Sequence, residues 1–233
     1  PSFLKDEVTD EYLNEFIDGL KLPFETRDYQ YNSFAHCVRD KRALILSPTA
    51  SGKSLIIYLL AQWFGLKTLI VVPTTSLVLQ MTTDFIEYGM DAKDIHNIKA
   101  GADKETNCPI VVSTWQSIHK KSAGYFAQFG SVLVDEVHHA QSKSIQSIMN
   151  KLVVCPDRIG MTGTIQEAKT HELVLKGLFG PIQKITSTKE LIERDQISDV
   201  KIQLLRLNYP DEDKKLVSKM NYQEETLVIN ILK

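Results

Sequence analysis

Two short stretches of this chain carry residue types and spacings suited to chemistry on a phosphate. The first runs Ser47-Pro48-Thr49-Ala50-Ser51-Gly52-Lys53-Ser54, between the apolar runs Ala43-Leu44-Ile45-Leu46 and Leu55 to Leu60. A strand that stops abruptly, a glycine where a side chain would block an anion, and a helix starting beside it turn successive backbone N–H groups toward one phosphate. In such a loop Thr49, Ala50, Ser51 and Gly52 line the anion. Lys53 reaches the β- and γ-phosphates, and the Ser54 hydroxyl is a ligand for Mg2+. One departure is visible, because Ser47 stands where the general pattern has its first glycine. A Gly-Lys-Ser turn also arises by chance in roughly one chain in ten of this length, so the loop needs company.

That company is Asp135-Glu136-Val137-His138, which closes the apolar run Ser131 to Val134. Acids at the C-terminal edge of a parallel sheet face the same crevice as a phosphate loop. Asp135 there binds Mg2+ through its shell, while Glu136 orients and deprotonates a water. Alone, two adjacent acids are a solvated turn in roughly one case in five, and the pairing with the loop lowers that to about a few per cent.

The elements that must position these residues are legible in outline. Leu13, Phe16, Ile17 and Leu20 fall at helical spacing over residues 10–18, and a second helix is predicted from about Arg27 to Val38. Strands are predicted at 43–46, 68–72, 95–99, 110–113, 132–135 and 158–161, with helices at 54–64, 76–88 and 144–152 between several of them. Such alternation implies a mostly parallel α/β sheet with helices on both faces. Residues 55–60 are apolar almost all round, as in a helix lodged against a sheet. After Phe179-Gly180-Pro181 the pattern weakens to a polar helix and an extended stretch at 201–207. Pro210-Asp211-Glu212-Asp213 then reads as a turn, and a last helix starts at Tyr222.

Composition bounds the rest. The 233 residues are 43% hydrophobic with a formal net charge of −2, so a polyanion partner is neither advertised nor excluded. Cys37, Cys108 and Cys155 lack metal or redox spacing and read as reduced and intracellular. No apolar run approaches the roughly 18 residues that span a bilayer, which predicts a soluble protein with no membrane partner. The chain begins at Pro1 without methionine and stops at Lys233 inside a helical pattern, which reads as an excised piece.

Asp135-Glu136-Val137-His138 resembles the D-E-x-H box of superfamily 2 helicases, and other motifs of that superfamily occur in order. Arg27-Asp28-Tyr29-Gln30 resembles the adenine-recognising motif, and Pro73 to Gln80 resembles motif Ia. Ser113-Thr114-Trp115-Gln116-Ser117 resembles the strand-end motif that touches nucleic acid, and Met161-Thr162-Gly163-Thr164 stands where motif III belongs. Segments such as Gln128-Phe129-Gly130 and Tyr222-Gln223-Glu224-Glu225 are similar to a phage branch of the superfamily that remodels branched DNA in recombination and repair.

The resemblance implies a RecA-like P-loop NTPase domain at residues 27–208, preceded by a helical lead-in at 1–26 and followed by a linker and helix at 209–233. It implies ATP and Mg2+ as cofactors, branched or single-stranded DNA as partner, and a second RecA-like domain of the same protein. It also implies host-cytoplasmic location if the protein is phage-encoded. By position, Gln30 holds the adenine edge with Arg27 assisting, a buried self-satisfied Gln and a surface Arg being the alternative. His138 couples the site to Thr162 or Thr164. Thr74, Thr75, Gly101, Thr114, Trp115 and Gln116 form the nucleic-acid side. Trp115 reads as a base-stacking platform or as core, with core favoured by its place just after a buried strand. The implied enzyme is an ATP-dependent DNA helicase, with an RNA helicase motor or a non-catalytic ATP-binding module as alternatives. The implied second domain supplies an arginine to the transferred phosphoryl group, so residues 1–233 alone are expected to be near-inactive.

Overall fold

A computed structural model describes residues 8–48, 51–98, 106–138, 143–164 and 169–194. Thr49, Ala50, Gly101 and everything predicted beyond Arg194 lie outside the described residues.

Seven strands form one sheet: β1 (Arg42–Leu46), β2 (Thr68–Val72), β3 (Ile95–Ile98), β4 (Ile110–Thr114), β5 (Ser131–Val134), β6 (Asp157–Thr162) and β7 (Ile182–Lys184). Their order is β3-β4-β2-β5-β6-β1-β7, and every pairing is parallel. β2, β4 and β5 are buried along their whole length, which is why they read as unbroken β-branched runs.

The helices are α1 (Asp10–Gly19), α2 (Asp28–Asp40), α3 (Lys53–Phe64), α4 (Thr75–Glu87), α5 (Trp115–Ile118), α6 (Ala123–Phe126), α7 (Lys143–Lys151), α8 (Lys169–Phe179) and α9 (Thr188–Glu193). The path from β1 to β3 moves one way across the sheet, and from β3 to β7 it returns. Parallel crossovers keep one hand, so the reversal puts the outgoing and returning helices on opposite faces. Two cores result. Alternate strand residues such as Ile45, Ile70, Val112, Leu133 and Ile159 pack under α1 to α4. Leu44, Leu69, Val71, Val111, Val132 and Val134 pack under α5 to α8.

The lead-in helix belongs to the first of these cores. Thr9 caps it by accepting from the Tyr12 N–H, and Leu13 and Ile17 are buried. Phe16 stacks on Phe34 and meets Trp63 edge-on, centroids 5.9 and 4.9 Å apart, joining α1, α2 and α3. In α3 every side chain from Leu55 to Ala61 is buried, as the apolar run requires.

The elements predicted within the described residues appear within one or two residues of their expected ends. α5, α6, α8 and β7 were not anticipated. α5 and α6 are single turns too short to show a period, and β7 is a three-residue edge strand with two exposed positions.

Candidate nucleotide site

Parallel strands all end at one edge, and this sets the site. β1 and β6 are paired so that Leu46 lies beside Thr162, and the Ser47 N–H donates to the Thr162 carbonyl at 2.9 Å. One strand further on, β5 is followed directly by Asp135, whose N–H donates to the Val71 carbonyl at 2.9 Å. Loop, acids and motif III therefore converge although 115 positions separate Ser47 from Thr162 in the chain.

The loop is held from both sides through Ser51. Its Oγ donates to the Pro48 carbonyl at 2.7 Å and lies 2.6 Å from Ser47 Oγ, so the Ser47 hydroxyl is the donor of that pair. Its carbonyl accepts from Tyr29 Oη at 3.0 Å and from Gln30 Nε2 at 3.1 Å. Ser47, in the first-glycine position, thus uses its hydroxyl to bridge the loop, and both serines are fully buried. Gly52 has φ +75°, and a Cβ there would sit 2.3 Å from Gln30 Nε2. Glycine suits this turn, since any other residue would be strained at that φ and would displace the Gln30 amide.

Lys53 opens α3. Its Nζ lies 3.5 and 3.4 Å from the Ser47 and Pro48 carbonyls and 3.2 Å from Glu136 Oε1. Glu136 is one of three non-glycine residues with positive φ among those described, at 51°, which costs about 1 kcal/mol or more. This turn lets its carboxylate face both Lys53 and His138, the latter at 3.2 Å from Oε2 to Nδ1. His138 Nδ1 is also 2.9 Å from Thr162 Oγ1, which itself donates to the Thr164 carbonyl at 2.8 Å. With its one proton spent on Thr164, Thr162 can only accept from the imidazole, so the proton is on His138 Nδ1.

Asp135 is almost fully buried. Loss of solvent raises its carboxyl to about 6, against the opposing pull of the Lys53 ammonium; Glu136 adds to the rise, and the Glu136 N–H, 2.9 Å from Oδ1, moderates it. A carboxyl of this kind gains most from a cation. The donor set fits a Mg2+-bound polyphosphate: one ammonium, two acids, a glycine turn with no room for a Cβ, and the N-terminus of a twelve-residue helix. Ser54 Oγ lies 2.9 Å from Tyr88 Oη, a partner with no signal in the sequence. Either hydroxyl can donate in this pair, and in both directions the serine oxygen retains a lone pair for a cation.

At the adenine motif, Gln30 is buried and its amide is spent on protein. Oε1 accepts from the Arg27 N–H at 3.0 Å, while Nε2 serves the loop. Arg27 is exposed, its Nη1 donating to Tyr29 Oη at 2.8 Å. Tyr29, passed over in the sequence, thus joins Gln30 as a contact between the two motifs.

The expected nucleic-acid residues among those described follow β2 and β4 at the same edge, Val72 of β2 lying beside Thr114 of β4. Thr74 caps α4, its Oγ1 accepting from the Leu77 N–H, and Thr74 and Thr75 are exposed. Gln116 is exposed on α5. Thr114 is buried, with Oγ1 3.0 Å from Ser117 Oγ. For Trp115 the structure favours the core side of the two sequence readings. It is 9% exposed and packs with the second core.

A parallel sheet with a phosphate loop and an acid pair at one edge is that of the superfamily 2 helicase ATP-binding domains, and the resemblance noted in the motifs is borne out. The chain belongs to the family described as "Type III restriction enzyme, res subunit", matched over residues 10–167. It is 35% identical over 240 residues to the "ATP-dependent DNA helicase uvsW" of Enterobacteria phage T4, covering 97% of this chain and 48% of that one. It is 30% identical over 218 residues to the "DNA 3'-5' translocase XPB2" of Sulfurisphaera tokodaii, covering 91% of this chain and 48% of the relative. The crystal structure of the UvsW helicase from bacteriophage T4 superposes with a TM-score of 0.72 at 33% identity, over 76% of this chain and 68% of that one. The Pyrococcus furiosus Hef helicase domain shares the fold, with a TM-score of 0.65 at 20% identity over 83% of this chain and 44% of that one. The chain spans about half the length of the curated relatives named here. No helix among the described residues is long and apolar enough to cross a membrane.

Proposed function

We propose that this chain is the ATP-binding motor domain of a DNA helicase or translocase that remodels branched DNA by fork regression, branch migration and unwinding of joint molecules. The observation that carries the reading is the unbroken contact path Lys53–Glu136–His138–Thr162, which runs from the phosphate loop to motif III. A module that only bound nucleotide would have no chemical need for Glu136 on that path.

In this reading Lys53 and the loop amides of Thr49 to Ser54 hold the phosphates, and Ser54 and Asp135 hold Mg2+. The cation, when bound, neutralises charge on the phosphates. Glu136 orients the attacking water and takes its proton. Arg27 and Gln30 define the base end of the site, Gln30 through its grip on the loop. His138, Thr162 and Thr164 pass the state of the site to the rest of the domain. Thr74, Thr75, Gly101, Thr114 and Gln116 line the nucleic-acid side, where hydroxyls and helix N-termini grip phosphates without reading sequence.

The relatives' greater length supports a second RecA-like domain, with 27–208 as the motor domain and 209–233 leading out of it. That domain supplies an arginine worth about 10³ to 10⁵ in rate, so residues 1–233 alone bind nucleotide but turn it over very slowly. A host-cytoplasmic site of action accords with the phage relatives.

The test is stimulation of ATP hydrolysis by the intact protein on branched DNA against structured RNA. Branched DNA is expected to stimulate more strongly. Preferential stimulation by RNA would replace the DNA reading with the RNA one.

A further inference from the structure

We propose that Tyr29 is a positioning residue that links the base end of the nucleotide site to the shape of the phosphate loop, an inference that rests on the nucleotide-site reading above. Tyr29 lies in the first turn of α2, 3% exposed, where the Asp28 carboxylate accepts its N–H at 2.7 Å. Its phenol is saturated in one direction. Oη accepts from Arg27 Nη1 at 2.8 Å and donates its single proton to the Ser51 carbonyl at 3.0 Å. Both donors in the chain, Arg27 and Tyr29, therefore point toward the Ser51 carbonyl in the loop.

Such a chain is cooperative. A guanidinium donating to a phenol oxygen polarises the O–H and strengthens its bond to the next acceptor. Ser51 is the residue on which that bond acts with most leverage, because its hydroxyl is already fixed by Ser47 and Pro48. Arg27 is exposed at the other end, free to engage a base. What happens at the Arg27 side chain is thus felt at the loop through one buried phenol, while the Arg27 backbone N–H reaches the same carbonyl separately through Gln30.

The experiment measures binding of ADP and of inorganic tripolyphosphate, which has no base, to the intact protein by calorimetry, for wild type, Tyr29→Phe, Arg27→Ala and the double variant. Tyr29→Phe keeps the ring and removes only the hydroxyl, so it is expected to weaken both ligands about five-fold. Arg27→Ala is expected to weaken tripolyphosphate as well, although that ligand cannot touch a base-recognising residue, and to lose this effect in the Tyr29→Phe background. Additive effects on tripolyphosphate, or none from Arg27→Ala, would overturn the link. So would a Tyr29→Phe protein that is merely less heat-stable with unchanged affinities. Lys53→Ala serves as control: if it leaves tripolyphosphate binding intact, the nucleotide-site reading itself falls, and the link with it.

Discussion

Lys53 Nζ stands 3.2 Å from Glu136 Oε1, so the ammonium suited to the phosphates and the carboxylate suited to the water hold each other. Neither is fully exposed, and the pair is continued by His138 on the second carboxylate oxygen. A ligand that recruits Lys53 must loosen this pair, which frees Glu136 and shifts the balance at His138. The residues proposed for binding, base and coupling are one connected set of contacts.

Glu136→Gln separates the proton-accepting role from the packing role. The amide keeps the size and can still meet Lys53 and His138, but it cannot take a proton from water. ATP turnover by the intact protein is expected to fall on the order of 100-fold or more, with ADP affinity within about two-fold of wild type. Undiminished turnover would show that another group activates the water.

Thr162→Val tests the coupling. The change is nearly isosteric and removes the one acceptor that His138 finds on β6. Steady-state ATPase and strand unwinding are read on the same preparation. Unwinding is expected to drop about ten-fold relative to hydrolysis, the size of an ordinary coupling free energy. Equal losses in both would mean that Thr162 only supports the site.

Asp135 makes the fold pH-dependent in a definite direction. Its carboxyl titrates at about 6 in the folded chain against 3.8 when unfolded, because burial disfavours the charge. Between those values the folded state keeps a proton that the unfolded state has lost, so stability falls as pH rises from about 4 to about 6 and stays lower above. Asp135→Asn has no such charge to bury. Denaturation with a chelator and no nucleotide is expected to show the variant more stable by up to about 3 kcal/mol at pH 7, converging with wild type near pH 4. An identical pH slope in both proteins would rule this out, whatever happens to Mg2+-dependent activity, which the substitution is expected to abolish.

Two glycines should divide stability from binding. At Gly180, φ is +117° and an added Cβ would lie 2.5 Å from the Arg42 carbonyl, at the turn between α8 and β7. Gly180→Ala is expected to cost about 2 kcal/mol in unfolding free energy with nucleotide affinity unchanged. Gly52→Ala meets a side-chain amide that can be pushed aside, so its main cost falls on ADP affinity, read by calorimetry. Loss of affinity in the first, or none in the second, would reverse these assignments.

By itself, the sequence determined what depends on local pattern and local chemistry. Unbroken β-branched runs specified buried parallel strands, the turn of apolar residues after Ser54 specified a helix against the sheet, and Gly52-Lys53-Ser54 with Asp135-Glu136 specified the two halves of a phosphate site. It specified the family for the same reason, since each motif is contiguous. Tertiary structure decided whatever depends on which strand ends lie side by side. That Thr162 sits next to Leu46, that Tyr88 reaches Ser54 across 34 positions, and that Ser51 is gripped by Tyr29 and Gln30 all follow from strand order and helix packing. It also decided Trp115, which a motif alone left between base and core. The indole follows a strand buried on both sides, and removing that much apolar surface from water settles it in the core.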